Sequence, residues 1–146
     1  MSVCEDIRKL LPDAPARDAM QMSPLTLAYI GDTVYDLYVR TLLLHQSDAT
    51  VHNLHMQASK KVRASAQAEV SVRLLPILNE QEASVYRRGR NAHIGTIPRS
   101  ASIGEYRAAT GLEALFGYLY IKGDDARIQE LMHHALFTQE RESGNE

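Results

Sequence analysis

The segment Leu27-Ala28-Tyr29-Ile30-Gly31-Asp32-Thr33-Val34-Tyr35 contains one carboxylate among mostly apolar residues. It lies within a longer run, 25–44, in which apolar residues recur with helical spacing. Ser23 and Pro24 are typical of an N-cap followed by the first helical residue. The pattern predicts a helix that is apolar on most faces, and we expect it to be the central buried element.

Asp32 is unusual in this setting because a desolvated carboxylate is costly unless it is paired, hydrogen-bonded or bound to a cation. Asp is also a weak helix former, and Asp36 lies one helical turn away and adds like-charge repulsion. A second apolar stretch, 110–118, holds Glu113 near Gly117. Each acid therefore stands near a glycine, which is the residue that lets two helix backbones approach closely.

Two interpretations of these acids are open. In one, Asp32 and Glu113 are partly exposed helix acids that pair with Arg40 or Arg107. In the other, the two helices meet and the carboxylates hold a hard cation such as Mg²⁺, which prefers oxygen ligands. Neither acid has a basic residue at four-residue spacing on its own helix, and this favours the metal.

Helical spacing of apolar residues recurs through the rest of the chain, so the predicted fold class is all-α. Asn79 and Glu82 have the spacing of a capping box, which predicts a short helix that stops at Gly89. The other predicted helical regions are about 51–78 with Ser59 and Ser65 as candidate breaks, about 104–122 with its end before Gly123, and about 125–137 with Asp124 as its cap.

Length and composition indicate one globular domain. The chain has 146 residues, of which 45% are hydrophobic and 23% charged, and it has no repeat or low-complexity tract. We expect an N-terminal segment at 1–22, a helical domain at 23–138 and a flexible polar tail at 139–146. No apolar run approaches the roughly 20 residues of a membrane span, and the N-terminus lacks a secretory pattern. These features predict a cytoplasmic protein with no membrane partner.

Several kinds of chemistry lack support in the sequence. Cys4 is the only cysteine, which excludes an intramolecular disulfide and a cysteine-rich zinc site. His52 and His55 have a spacing that can bind a metal on a helix, but without a third ligand a surface or packing role is the better interpretation. There is neither a glycine-rich phosphate loop after a strand nor a Ser-His-Asp arrangement. Metal-assisted chemistry at Asp32 and Glu113 is the mechanism with positive support.

Positive charge is concentrated in one segment although the formal net charge is only -2. Clustered arginines suit phosphates, and the candidate nucleic-acid contacts are Arg87, Arg88, Arg90, Asn91, His93, Thr96 and Arg99. Gly95 and Pro98 predict an exposed loop over 89–102. The other interpretation is a solvated loop whose arginines complement the end of a helix.

The two acidic stretches resemble known motifs. Tyr29-Ile30-Gly31-Asp32 is similar to the Gly-Asp motif of the ribonuclease III catalytic domain, and Leu112-Glu113-Ala114-Leu115-Phe116-Gly117 is similar to its second acidic motif. The resemblance runs from about Pro24 to Leu136 and includes 53–55, 64–69 and 87–92. It is strongest with the Mini-III branch, which has the catalytic domain without a double-stranded-RNA-binding domain. Longer family members carry further acids at the positions of Ala28 and Thr110, and the Mini-III branch lacks both.

The resemblance implies a helical ribonuclease III-like domain and a Mg²⁺-dependent endoribonuclease. Asp32 and Glu113 would be its catalytic residues and metal ligands, and double-stranded RNA its substrate. The family forms homodimers with one active site per subunit, and its usual substrate is precursor large-subunit ribosomal RNA. Because two family acids are missing, the alternative is a noncatalytic helical RNA-binding or ribosome-associated module. A helical protein-interaction domain is a third and weaker interpretation.

Overall fold

Six α-helices make up most of the described part of the chain. A computed structural model describes residues 7–10, 18–92, 95 and 102–143, without the side chains of 138–143. The helices are α1 (Pro24–Gln46), α2 (Val51–Val62), α3 (Ala64–Leu74), α4 (Glu80–Arg90), α5 (Ile103–Lys122) and α6 (Asp125–Ser143), and 3-10 turns lie at Ala19–Gln21 and Leu75–Ile77. The described ranges contain no β-strand, so the prediction of an all-α fold is confirmed. None of these helices has the length and apolar content that a bilayer span requires.

The central helix is α5. It packs against α1, α3, α4 and α6, and every residue from Ala109 to Tyr120 except Glu113 is buried. The expectation that the helix over 25–44 would be the central buried element was wrong, because α1 leaves one apolar face exposed. Tyr29 on α1 is 81% exposed and Leu44 is 68% exposed. A helix that is apolar on most faces can therefore leave one apolar face on the surface.

Two glycines let α1 and α5 cross at backbone contact. A Cβ atom on Gly31 would overlap the carbonyl oxygen of Glu113, and a Cβ atom on Gly117 would overlap the carbonyl oxygen of Leu27. Glycine is a poor helix former, with a cost of about 1 kcal/mol relative to Ala, so its presence inside both helices needs a reason. The reason is the close crossing, which no side chain at either position would permit.

A second close approach joins α4 to α5. A Cβ atom on Gly89 would lie 2.9 Å from the Cα atom of Gly111, so this glycine lies inside a helix contact. The predicted helix end at Gly89 was therefore wrong, and α4 continues to Arg90. The predicted capping box is confirmed, because the Glu82 amide donates to the Asn79 side chain at 2.8 Å and the Asn79 amide donates to the Glu82 carboxylate at 3.0 Å.

Glu82 also ties α4 to α6. Arg127 donates to both carboxylate oxygens of Glu82 at 2.8 Å and to the carbonyl oxygen of Ile77 at 2.7 Å. Burial of the Glu82 carboxyl opposes its ionisation, but hydrogen bonds from Arg127 and the Asn79 amide outweigh the burial and hold its pKa below the usual range. This paired carboxylate fixes the start of α4 against the start of α6.

The remaining helix boundaries follow local signals with small shifts. The break predicted at Ser59 or Ser65 falls between them, at Arg63, where ψ is 157°. Gly123 ends α5 with a left-handed φ of 86°, and the Asp124 side chain accepts a hydrogen bond that caps α6. The helix α6 runs to Ser143, beyond its predicted end near residue 137. The division into 1–22, 23–138 and 139–146 stays a prediction.

Gly117→Ala should lower the free energy of unfolding by about 3 kcal/mol, because the new methyl group would push α1 away from α5. The matched control is Gly104→Ala on the same helix, where a Cβ atom meets nothing within 4 Å. That change should raise the free energy of unfolding by about 0.5 kcal/mol through the entropy of the unfolded chain. Urea unfolding followed by circular dichroism measures both, and equal effects would contradict the close crossing.

Candidate active site

Asp32 and Glu113 lie beside the crossing of α1 and α5. Asp32 follows Gly31, and the backbone of Gly31 lies against the carbonyl group of Glu113. The two carboxylates are close enough for the charge of Asp32 to raise the pKa of Glu113. Two acids that are far apart in the sequence are thus brought to one place by the contact between helix backbones.

Glu113 is half-buried and is the one residue between 109 and 120 that is not fully enclosed. Burial raises the pKa of its carboxyl from 4.5 to about 8, and the nearby Asp32 charge contributes to the rise. Two negative charges are therefore costly at this place. A bound cation would remove much of that cost, because its positive charge favours the ionised form of both acids.

Asp32 is exposed at the rim of the same site. Partial desolvation raises its pKa above the ordinary value, and the charge of Asp36 raises it further. Asp36 itself accepts a hydrogen bond from Arg40 at 2.9 Å. Among the described residues neither Asp32 nor Glu113 forms an ion pair, so the interpretation in which these acids pair with Arg40 or Arg107 is not supported.

The two carboxylates fit a hard divalent cation. Both offer oxygen ligands, and the described part of the chain gives them no compensating basic group. Within that part no group of three or more His, Cys, Asp or Glu side chains is arranged to hold a metal. Most coordination positions would therefore fall to water and to the substrate, which is the manner in which Mg²⁺ is usually bound.

The positions at which longer family members carry further acids do not supply a third carboxylate here. Ala28 is buried in the core. Thr110 is also buried, and its hydroxyl donates to the carbonyl oxygen of Tyr106 at 3.0 Å. The Thr110 hydroxyl therefore forms a hydrogen bond within its own helix, α5.

A cleft of about 470 Å³ opens beside Glu113, between the start of α3 and the first half of α5. Gln67 forms part of its wall, is 1% exposed, and has a side-chain oxygen without a hydrogen-bond partner among the described residues. Arg63 and Ser65 also line the cleft. The sequence analysis missed this wall, for which the only signal was the resemblance of the segment 64–69.

The predicted RNA contacts fall into three groups. Exposed at the C-terminal end of α4 are Arg87, Arg90 and Asn91. Arg88 instead donates to the carbonyl oxygens of Met20 at 2.9 Å and Met22 at 3.2 Å, so it holds the first 3-10 turn against α4. Outside the described residues lie His93, Thr96 and Arg99, together with most of the predicted loop.

The stability of the metal-free protein should fall between about pH 5 and pH 8 because of Glu113. In that range the unfolded carboxyl has lost its proton and the folded one, with a pKa of about 8, still holds it. The unfolded state then binds fewer protons, so the free energy of unfolding falls as the pH rises, by at most about 1.4 kcal/mol per pH unit.

Urea unfolding in EDTA measures the free energy of unfolding of the native protein and of Glu113→Gln at each pH. The value for the native protein should fall relative to that of the variant as the pH rises. Above about pH 8 the difference should become constant, and added Mg²⁺ should flatten the native profile. Parallel profiles for the two proteins would show that Glu113 ionises like an ordinary glutamate.

Comparisons with known proteins agree with this arrangement. Residues 25–124, which include both acids, match the ribonuclease III domain. Mini-ribonuclease 3 of Clostridium tetani is 41% identical over 89% of this chain and 87% of its own, and that of Symbiobacterium thermophilum is 46% identical over 84% and 94%. A crystal structure of a Fusobacterium nucleatum protein, 28% identical, superposes with a TM-score of 0.76 over 84% of this chain and 98% of that one. This chain therefore belongs to the ribonuclease III family, in its Mini-ribonuclease 3 branch.

Proposed function

We propose that this protein is a Mg²⁺-dependent endoribonuclease that hydrolyses phosphodiester bonds of double-stranded RNA. The observation that carries the proposal is the acid pair at the crossing of α1 and α5. Its two carboxylates are neighbours, and both have a raised pKa because burial and nearby negative charge oppose their ionisation. Among the described residues neither carboxylate forms an ion pair. In a family named for ribonuclease activity, such a pair is best explained as a metal site.

In this mechanism Asp32 and Glu113 would hold the cation through their carboxylate oxygens, directly or through water. When bound, the cation would supply activation of a water molecule for in-line attack on the phosphodiester and stabilisation of the leaving oxygen. The buried helix α5 fixes the backbone of Glu113, whereas exposed Asp32 remains accessible to an approaching phosphodiester. Because the described residues offer few ligands, water and the substrate phosphate would supply the remaining ones.

The basic end of α4 supports a nucleic-acid substrate. Gly89, near the C-terminal end of α4, contacts α5 at Gly111. The exposed Arg87 and Arg90 therefore belong to a helix end that packs beside the segment carrying Glu113. An A-form duplex presents phosphates and 2′-hydroxyl groups across a wide, shallow minor groove. Asn91 is exposed at the same helix end. His93, Thr96 and Arg99 are further RNA contacts in this proposal on the ground of the sequence alone.

The physiological substrate and the assembly are also part of the proposal. The resemblance favours precursor large-subunit ribosomal RNA, a cytoplasmic location and a homodimer in which each subunit cuts one strand. The exposed apolar face of α1, where Leu37 is 45% and Leu44 is 68% exposed, is compatible with a contact between subunits. A dimer would also present two basic surfaces to one duplex.

A noncatalytic RNA-binding or ribosome-associated module is the second candidate function. The specific observation in its favour is the absence of a third acid, because Ala28 and Thr110 occupy the positions of the further family acids. This function predicts salt-sensitive RNA binding without metal-dependent cleavage. A protein-interaction domain predicts no RNA binding at all.

Asp32→Asn and Glu113→Gln should each reduce cleavage of a long RNA duplex in Mg²⁺ by about 100-fold or more, because each removes a charged metal ligand. Both variants should keep their helical content and most of their RNA binding. Glu80→Gln makes the same chemical change at an exposed residue of α4 outside the pair and should cleave normally. EDTA should abolish cleavage by the native protein.

Retained cleavage in either variant would remove that residue from the site. A native protein that binds both a long duplex and a precursor ribosomal RNA duplex, and cleaves neither in Mg²⁺, would establish the noncatalytic function instead.

Arg87→Gln combined with Arg90→Gln should weaken RNA binding and reduce the slope of log K against log salt by about one for each lost phosphate contact. The free energy of unfolding of this double variant should change by less than about 0.5 kcal/mol, because both arginines are exposed. Arg88→Gln is the comparison for stability. Its free energy of unfolding should fall by about 1–3 kcal/mol, because the variant loses the hydrogen bonds to the carbonyl oxygens of Met20 and Met22. Unchanged RNA binding in the double variant would remove the end of α4 from the interface.

A further inference from the structure

A second cavity, of about 170 Å³, lies where the junction of α2 and α3 meets α1 and α6. We call it the α2–α3 cavity. Its basic lining residues are Lys60, Lys61, Arg63 and Arg73. Glu69 is the only carboxylate among the residues that line it, so the described wall carries an excess of positive charge. Such a wall favours an anionic ligand.

Two of the residues that line this cavity carry a buried polar atom with no hydrogen-bond partner among the described residues. These atoms are the Tyr35 hydroxyl oxygen and the Nε atom of Arg73. The Tyr35 ring is held in the core against Phe116, with ring centroids 5.4 Å apart, and a terminal nitrogen of Arg73 donates to the Ala135 carbonyl at 2.8 Å. Both groups are therefore fixed in place, and an unpaired buried donor costs about 1–3 kcal/mol.

The helix α3 begins at the same cavity. Ser65 and Ala66, in its first turn, line the wall, and Arg63 provides no side-chain cap. The first amides of a helix lack partners within the helix, and the helix dipole is positive at this end. Phosphate oxygens are well suited to such a position. The uncapped helix end thus adds donors to those of the buried hydroxyl and guanidinium groups.

We propose that the α2–α3 cavity is a phosphate-binding site. Phosphate oxygens accept hydrogen bonds there from the Tyr35 hydroxyl, the Arg73 Nε atom and the first amides of α3, and the lysines at 60 and 61 balance the charge. The RNA backbone is the favoured source of the phosphate, because Arg63 and Ser65 line both this cavity and the cleft beside Glu113. Only this choice of source rests on the proposed nuclease function.

Inorganic phosphate is the first probe. The melting temperature of the full chain should be higher in phosphate than in chloride at equal ionic strength. Tyr35→Phe removes the hydroxyl, keeps the ring and the net charge, and should weaken phosphate binding about tenfold, as loss of one hydrogen bond to an anion predicts. Tyr29→Phe is the matched control on the same helix, at a side chain that is 81% exposed, and should keep the full shift.

Duplex RNA distinguishes the source of the phosphate. If it is the RNA backbone, Lys60→Gln combined with Lys61→Gln should reduce the slope of log K against log salt by about one to two, and inorganic phosphate should compete with RNA. If the double variant keeps the salt slope of RNA binding and phosphate still raises the melting temperature, the cavity binds phosphate, and its ligand is a free phosphate-bearing molecule and not RNA.

The proposal is overturned if phosphate gives no shift beyond chloride, or if Tyr35→Phe responds to phosphate as fully as Tyr29→Phe does. Asp32→Asn should keep the phosphate shift whether or not the native protein cleaves RNA. The phosphate site and the nuclease function can therefore fail separately.

Discussion

The close crossing of α1 and α5 at Gly31 and Gly117 sets both the packing of the bundle and the arrangement of the candidate site. Because the helix backbones touch there, Asp32 on α1 and Glu113 on α5 lie together beside the contact. A side chain at either glycine would separate the helices and move the acids apart. The two glycines therefore have a packing role and determine the geometry of the candidate metal site at the same time.

The distribution of charge supports the same conclusion. Two arginines of the bundle have carboxylate partners: Arg40 pairs with Asp36, and Arg127 pairs with Glu82. Within the described residues the acid pair is left without such a partner, although Glu82 shows that this fold can neutralise a buried carboxylate. A protein keeps unfavourable electrostatics of this kind mainly where a ligand relieves it.

Local sequence signals determined a large part of the fold. Helical spacing predicted the all-α class, Asn79 with Glu82 marked the capped start of α4, and Gly123 marked the left-handed end of α5. These signals depend on neighbours within one or two helical turns, so they can be recognised in a linear sequence. The two candidate acids were also identified in this way, as carboxylates with no local reason to stand among apolar residues.

Local patterns did not predict which helix surfaces contact each other. Periodicity shows that a helix has an apolar face but does not show which neighbour covers it, so α5 rather than α1 proved to be central. The same limit explains why Gly89 was interpreted as a helix end, and why nothing indicated the cavity that Tyr35 shares with α2, α3 and α6. Local patterns were therefore sufficient to predict the helices and to identify the two candidate acids. Packing between distant segments determined their positions, because burial depends on partners that local patterns do not specify.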